Sequence, residues 1–212
     1  MKRDRVSKPV VERLPKYYAC VDELYRTNCI RVSSSTLSRQ LGFTASQIRQ
    51  DFSCFGEFGQ QGYGYNVKKL RQELREILGM ESGSKAILIG CGHLGHALLQ
   101  NFDFSACGFQ MLAAFDRDIN LVGTKVGGYP VIDIVRLGAF MERFHPEMAV
   151  LTLPERKAEE VAEDLCKMGI RAIWNFTAAP LDFEEEGVAV EQVSFMDSLL
   201  RLSYHMNENA ED

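Results

Sequence analysis

Six consecutive residues, Gly90-Cys91-Gly92-His93-Leu94-Gly95, carry the most specific chemical signal in the chain. An apolar run at 86–89 precedes them and a helical pattern at 94–102 follows, the strand–turn–helix setting that a dinucleotide-binding turn requires. In such a turn Gly90 permits the sharp bend, Gly92 lets the backbone approach a pyrophosphate, and Gly95 lets helix and strand pack closely. The helix N-terminus adds unpaired N–H groups and partial positive charge for the phosphates. Asp116 stands 21 positions beyond Gly95, where an acid that accepts hydrogen bonds from the ribose hydroxyls belongs. Arg117 would favour a 2′-phosphate, but Asp118 restores negative charge, so the expected ligand is NADH/NAD+ rather than the phosphorylated dinucleotide. Thr152-Leu153-Pro154 and Asn175-Phe176 would bracket the nicotinamide end; ordinary strand-to-helix turns are the competing reading. The Cys91 thiol would meet phosphate in this loop, against the plainer reading that it is a small packing residue.

A second set of polar residues lies far upstream. Thr44 and Gln47 form a T-A-S-Q capping box, and the helix it opens, about 45–55, turns Ser46, Gln47, Arg49 and Gln50 outward while burying Ile48 and Phe52. A helix carrying Leu37 and Leu41, capped by one of Ser33-Ser34-Ser35 and stopped by Gly42, precedes it. Two short helices about a Gly-containing turn predict a helix-turn-helix whose second helix enters the major groove. Residues 55–67 then read as a hairpin with Gln60-Gln61 at its tip, a wing that would lie along the minor groove or the DNA backbone.

The remaining elements must position these two sets. A first helix at about 9–28 repeats Val10, Leu14, Val21, Leu24 and Tyr25 at helical spacing, and Pro15 either kinks it or marks its first turn. Asn66 caps a helix carrying Val67, Leu70, Leu74, Ile77 and Leu78, which Gly79 stops. Beyond a boundary at 80–84, strand runs at 86–89, 111–115, 148–153, 170–176 and 188–193 alternate with helical runs at about 94–102, 133–144 and 155–168. Such alternation builds a parallel sheet covered on both faces. The expected fold class is therefore α/β: an N-terminal winged helix-turn-helix domain (1–80), a Rossmann-type parallel-sheet domain (85–193), and a C-terminal helix and tail (194–212). That last helix presents Phe195, Leu199, Leu202 and Met206 on one face, widened by Met196 and Leu200.

Bulk properties agree with this division. The 212 residues carry a net charge of −5, yet residues 1–79 hold 14 Lys and Arg against 8 Asp and Glu, leaving the rest strongly acidic. A basic front on an acidic body suits a polyanion held by the first domain alone, although solvated surface would give the same split. No apolar run approaches the ~20 residues of a membrane span, and the charged N-terminus has no signal-like apolar region, so a cytoplasmic protein is expected. The six cysteines show no C-x-x-C spacing and read as reduced thiols.

The strings RLPKYY, RVSSSTLSRQLG, SQIRQDFSCFGEFGQQGYGYNV, IGCGHLGHAL and VEQVSFMDSLLRLSY together resemble the Rex family of redox-sensing transcriptional repressors over nearly the whole chain. The resemblance implies a homodimer that binds a palindromic double-stranded DNA operator when NADH is scarce and leaves it when NADH binds. It implies a C-terminal helix exchanged between subunits, with Phe195 approaching the nicotinamide pocket. Three departures stand out. Arg49 is followed by Gln50 where the family has a second basic residue. The wing tip is Gln60-Gln61 where the family is commonly basic, which implies a shifted operator preference and a shallower salt dependence. Ala19, Asn101 and Ser194 occupy the positions of the arginine, tyrosine and aspartate of the family's switch, so the ligand signal is carried by packing or weakened. Competing readings are a dehydrogenase, for which His93, His96, His145 and His205 lack a partnered acid, a coenzyme A binder, and a constitutive repressor that has lost its ligand.

Overall fold

The structure is a computed structural model that describes residues 6–56, 58 and 63–208. The chain forms two compact units, Met1–Ser82 and Gly83–Asp212.

The first unit contains α1 (Lys8–Arg26), β1 (Arg31–Val32), α2 (Ser34–Leu41), α3 (Ala45–Ser53), β2 (Tyr65–Asn66) and α4 (Val67–Ile77). Local chemistry sets its helix starts. Ser33 Oγ accepts from the Thr36 N–H, Thr44 Oγ1 from the Gln47 N–H and Asn66 Oδ1 from the Lys69 N–H, at 2.9–3.1 Å. Each satisfies a donor that the helix itself leaves orphaned. Pro15 lies inside α1 and does not open it; Pro9 is in the first turn instead, where a missing N–H costs nothing. Phe52 is the centre of the core, with the rings of Tyr17, Phe58 and Tyr65 at 5.1–5.4 Å. Tyr65 and Asn66 pair antiparallel with Val32 and Arg31, so the far side of the expected wing is tied to the strand that precedes α2. The tip, Gln60 and Gln61, lies outside the described residues.

The second unit is built on a seven-stranded sheet comprising β3 (Ser84–Ile89), β4 (Phe109–Asp116), β5 (Lys125–Val126), β6 (Tyr129–Asp133), β7 (Met148–Leu151), β8 (Ala172–Asn175) and β9 (Ala189–Gln192). Their spatial order is β5-β6-β4-β3-β7-β8-β9, parallel throughout except for β5. The alternation predicts five of these strands; the β5–β6 hairpin is an addition. Along β3, Ile87 and Ile89 enter one apolar cluster with α6 (Leu137–Phe144) and α7 (Ala158–Lys167), while Ala86 and Leu88 enter another with α5 (His93–Asn101). That two-sided burial explains why the strand reads as a continuous apolar run. α6 and α7 are each led in by a 3-10 turn, Ile134–Arg136 and Glu155–Lys157. The last helix, α8 (Phe195–Glu208), buries no residue. No helix among the described residues is long and apolar enough to cross a membrane.

Candidate functional site

The chain runs from β3 to β4 on one side and later returns to β7 on the other, so the strand order reverses beside β3. In open α/β sheets ligands bind outside the carboxyl ends of the strands at such a reversal. The glycine loop sits there. The Gly90 N–H donates to Phe115 O at 2.8 Å, and Thr152 Oγ1 donates to Gly90 O at 2.6 Å, which fastens the turn to both flanking strands. Gly90 has φ +95°, and a Cβ on it would lie 2.9 Å from the Thr152 carbonyl and the Leu153 nitrogen. A Cβ on Gly95 would collide with the Gly90 carbonyl, whereas one on Gly92 meets nothing within 4 Å. The loop is closed behind and open in front, the shape that a backbone-bound phosphate needs. Gly92 caps α5 without any side-chain partner for the first N–H groups, and His93 beside it is exposed.

Asp116 holds this loop. Its Oδ2 accepts from the Cys91 N–H at 2.6 Å, and its Oδ1 accepts from the Arg117 and Asp118 N–H groups at 2.7 and 2.9 Å. The carboxylate expected to face a ribose therefore also joins the end of β4 to the glycine turn. Next to it is a cleft of about 250 Å³ where Gly90, Asp116, Arg117, Leu153 and Pro154 meet. Ile134, Arg156 and Lys157 line the same cleft and went unread. Ile134 follows the missed strand β6, so its position was not legible; Arg156-Lys157, one intervening residue after Pro154, could have been found from the turn.

Burial separates the two readings of the Cys91 side chain in favour of packing: the residue is 2% exposed and lies among Ala86, Leu88 and Ala114. Burial, then the Asp116 charge, pushes that thiol up and keeps it protonated. The Asn175 side chain, expected to bracket the nicotinamide, spends its polar atoms inside the protein. It is fully buried; its Nδ2 donates to Ala179 O and Gln192 Oε1, and its Oδ1 accepts from the Thr177 N–H and hydroxyl. It shapes the loop after β8 and presents Phe176, whose ring lies 4.5 Å from Trp174 and 6.4 Å from Phe195. Leu94, at the start of α5, is half-buried, and Phe195 is 62% exposed.

In the first unit α3 exposes Ser46, Arg49 and Gln50 and buries Ile48 and Phe52; Gln47 is half-buried rather than fully outward. Arg49 Nη1 donates to Ser34 Oγ at 2.9 Å, which links α3 to the start of α2. Among the described residues no cluster of three or more His, Cys, Asp or Glu could hold a metal.

Residues 5–53 match the family "Putative DNA-binding protein N-terminus" and residues 81–179 match "CoA binding domain". A redox-sensing transcriptional repressor Rex from Clostridium tetani is 42% identical over 211 residues, 99% of either chain. The chain belongs to the Rex family. A second Rex, from Clostridium beijerinckii, is also 42% identical, over 98% of both chains. Among solved structures, RSP in complex with beta-NAD+ and operator DNA matches with a TM-score of 0.91 and 40% identity, covering 98% of this chain and 95% of that one. RSP in complex with beta-NADH matches at 0.89 and 37%, covering 98% and 97%. At the three positions expected to depart from the family, two side chains are engaged locally. Ala19 is exposed on α1, Asn101 donates to the Ala97 carbonyl of its own helix at 2.9 Å, and Ser194 Oγ accepts the Asp197 N–H at 3.0 Å.

Proposed function

We propose that this chain is a homodimeric DNA-binding repressor that senses the NADH/NAD+ ratio in the cytoplasm, holds a palindromic operator, and is released by NADH. One observation carries the reading: a capped helix-turn-helix and a glycine loop at a strand reversal lie in one polypeptide, similar over 98% of its length to a protein captured with both a nicotinamide dinucleotide and operator DNA. Residues 1–80 read DNA, 85–193 bind the cofactor and 194–212 join two copies. Ser46, Gln47, Arg49 and Gln50 enter the major groove, and Gln60 and Gln61 approach the duplex from the wing. His93 and Leu94 at the start of α5 offer main-chain N–H groups to the pyrophosphate and Gly92 leaves the approach open, while Gly90, Cys91 and Gly95 hold the turn in shape, with Asp116 and Arg117 at the adenosine ribose. Leu153 and Pro154, expected at the nicotinamide end, share the cleft of Asp116 and Arg117 and so flank the adenosine instead. Thr152 fastens the turn between the two ends, the Asn175 loop lies toward the nicotinamide, and Phe195 closes on it. No step calls for an acid or base beside the nicotinamide; the cofactor is a signal and not a reactant.

The deciding experiment is fluorescence anisotropy of a labelled palindrome, titrated with NADH against a fixed NAD+ background. Release by NADH and not by NADPH is expected; full retention at saturating NADH would overturn the reading. The match of residues 81–179 to a CoA binding domain favours coenzyme A as the second ligand class. Calorimetry with NADH, NAD+, NADPH and coenzyme A separates the two.

A further inference from the structure

We infer that Arg13, on α1, is a positioning residue for DNA reading: with Tyr17 it clamps Asp51 and so fixes the rotation of α3 about its own axis. The inference rests on the proposed DNA-binding role of α3. Asp51 follows Gln50 directly, yet a carboxylate on a helix that meets phosphates must be turned away from them. It is 3% exposed and faces α1. Arg13 Nε donates to Asp51 Oδ2 at 2.7 Å and Arg13 Nη2 to Oδ1 at 2.8 Å, a fork-to-fork pair across 38 residues of sequence. The Tyr17 hydroxyl adds a third donor to Oδ2 at 2.6 Å. The Tyr17 ring stands edge-on to Phe52 at 5.1 Å and to Phe43 at 5.7 Å, so aromatic surface walls the carboxylate in.

The contacts of Ile48 and Phe52 with the core hold α3 in place but have no direction, and they tolerate a small roll. A bidentate guanidinium does not. Asp51 lies about 200° around the helix from Arg49, because successive residues advance by about 100°. Locking Asp51 inward therefore aims Arg49 outward. Burial alone would push the Asp51 carboxyl up, but the hydrogen bonds from Arg13 and Tyr17 and the Arg13 charge hold it below the usual carboxylate range. Asp51 stays ionised and the clamp stays made. Arg13 is correspondingly consumed within the protein and adds nothing to phosphate binding, although it belongs to the basic segment.

The test compares the full-length wild type with Arg13→Gln, Arg13→Lys and Tyr17→Phe. The probes are a palindromic duplex selected by the wild type from a random pool and a scrambled duplex of equal length, each over a salt series. The expected result for Arg13→Gln is a tenfold or greater loss of affinity for the selected duplex. Its scrambled-duplex affinity and salt slope should stay at wild-type values, with partial rescue by Arg13→Lys. Tyr17→Phe, which keeps the ring in the core, should fall the same way by a smaller factor and decides the matter if Arg13→Gln fails to fold. A salt slope reduced by about one would make Arg13 a phosphate contact and overturn the inference. An unchanged selected-to-scrambled ratio in folded variants would reduce the clamp to a stability element and overturn it equally. A wild type with no preference between the duplexes would instead sink the DNA-binding reading itself.

Discussion

A methyl group at position 95 would have to occupy the space of the Gly90 carbonyl and lie 2.8 Å from Thr152 Oγ1, whereas one at position 92 meets nothing. The two glycines thus separate folding from binding. Gly95→Ala should destabilise the protein by about 1–3 kcal/mol through overpacking and weaken NADH at least tenfold. Gly92→Ala should melt with the wild type and still lose NADH affinity, since its methyl stands in the approach to the loop; melting curves and calorimetry check both. Asp51 supplies a pH-dependent counterpart. Its folded pKa lies below the unfolded value near 3.9, so its stabilisation is present above about pH 4 and fades as pH falls through the lower, folded value. Asp51→Asn should therefore cost of the order of 3 kcal/mol at pH 7, where it strands the Arg13 charge, and the gap to wild type should close in acid when urea unfolding is followed below pH 4. The glycines were legible because the turn dictates their spacing over six residues, and Asp116 because one helix and one strand separate it from them at a set distance. The partners of Asn175 and Asp51 were not: Gln192 lies 17 positions away and Arg13 lies 38, and no local pattern joins them.

Among the elements, α8 is the one left without a home. Phe195, Met196, Leu199, Leu200, Leu202, Tyr204 and Met206 are each 56–66% exposed, although their spacing is that of a helix with a buried face. Burying such side chains contributes about 1.5–3 kcal/mol apiece, so a single chain leaves a large term unrealised that a second copy can supply. Leu199→Glu combined with Leu202→Glu should halve the mass measured by light scattering and abolish palindrome binding, while NADH still binds the separated chains more weakly. An unchanged mass would place the subunit contact elsewhere. Elements with a cap or a long apolar run were readable in advance: Ser33, Thr44 and Asn66 cap helices α2, α3 and α4 as their residue types predict. The β5–β6 hairpin was missed although Gly127-Gly128 is a turn signal, because strands of two and five residues give too few alternations to register. The wing was only half legible, since its strand Tyr65–Asn66 pairs with Arg31–Val32, more than thirty residues upstream.

For the molecule as a whole the question is whether the two units share a free energy. If NADH weakens the operator by a factor between about 5 and 150, a coupling of ~1–3 kcal/mol, the operator must weaken NADH by the same factor. The exchange of ligand preference is bounded by the difference in NADH affinity between the DNA-competent and released states, so tight NADH binding alone predicts nothing about release. The measurement is direct, because the chain has one tryptophan, Trp174, adjacent to Asn175 and in contact with Phe176. NADH bound at the carboxyl ends of the strands should quench its emission by energy transfer. NADH titrated by this signal without DNA and then with saturating operator should show a dissociation constant raised at least fivefold, and by the same factor that NADH raises the operator's. Equal NADH affinity in the two titrations would mean that the reader and the cofactor site act independently on one polypeptide.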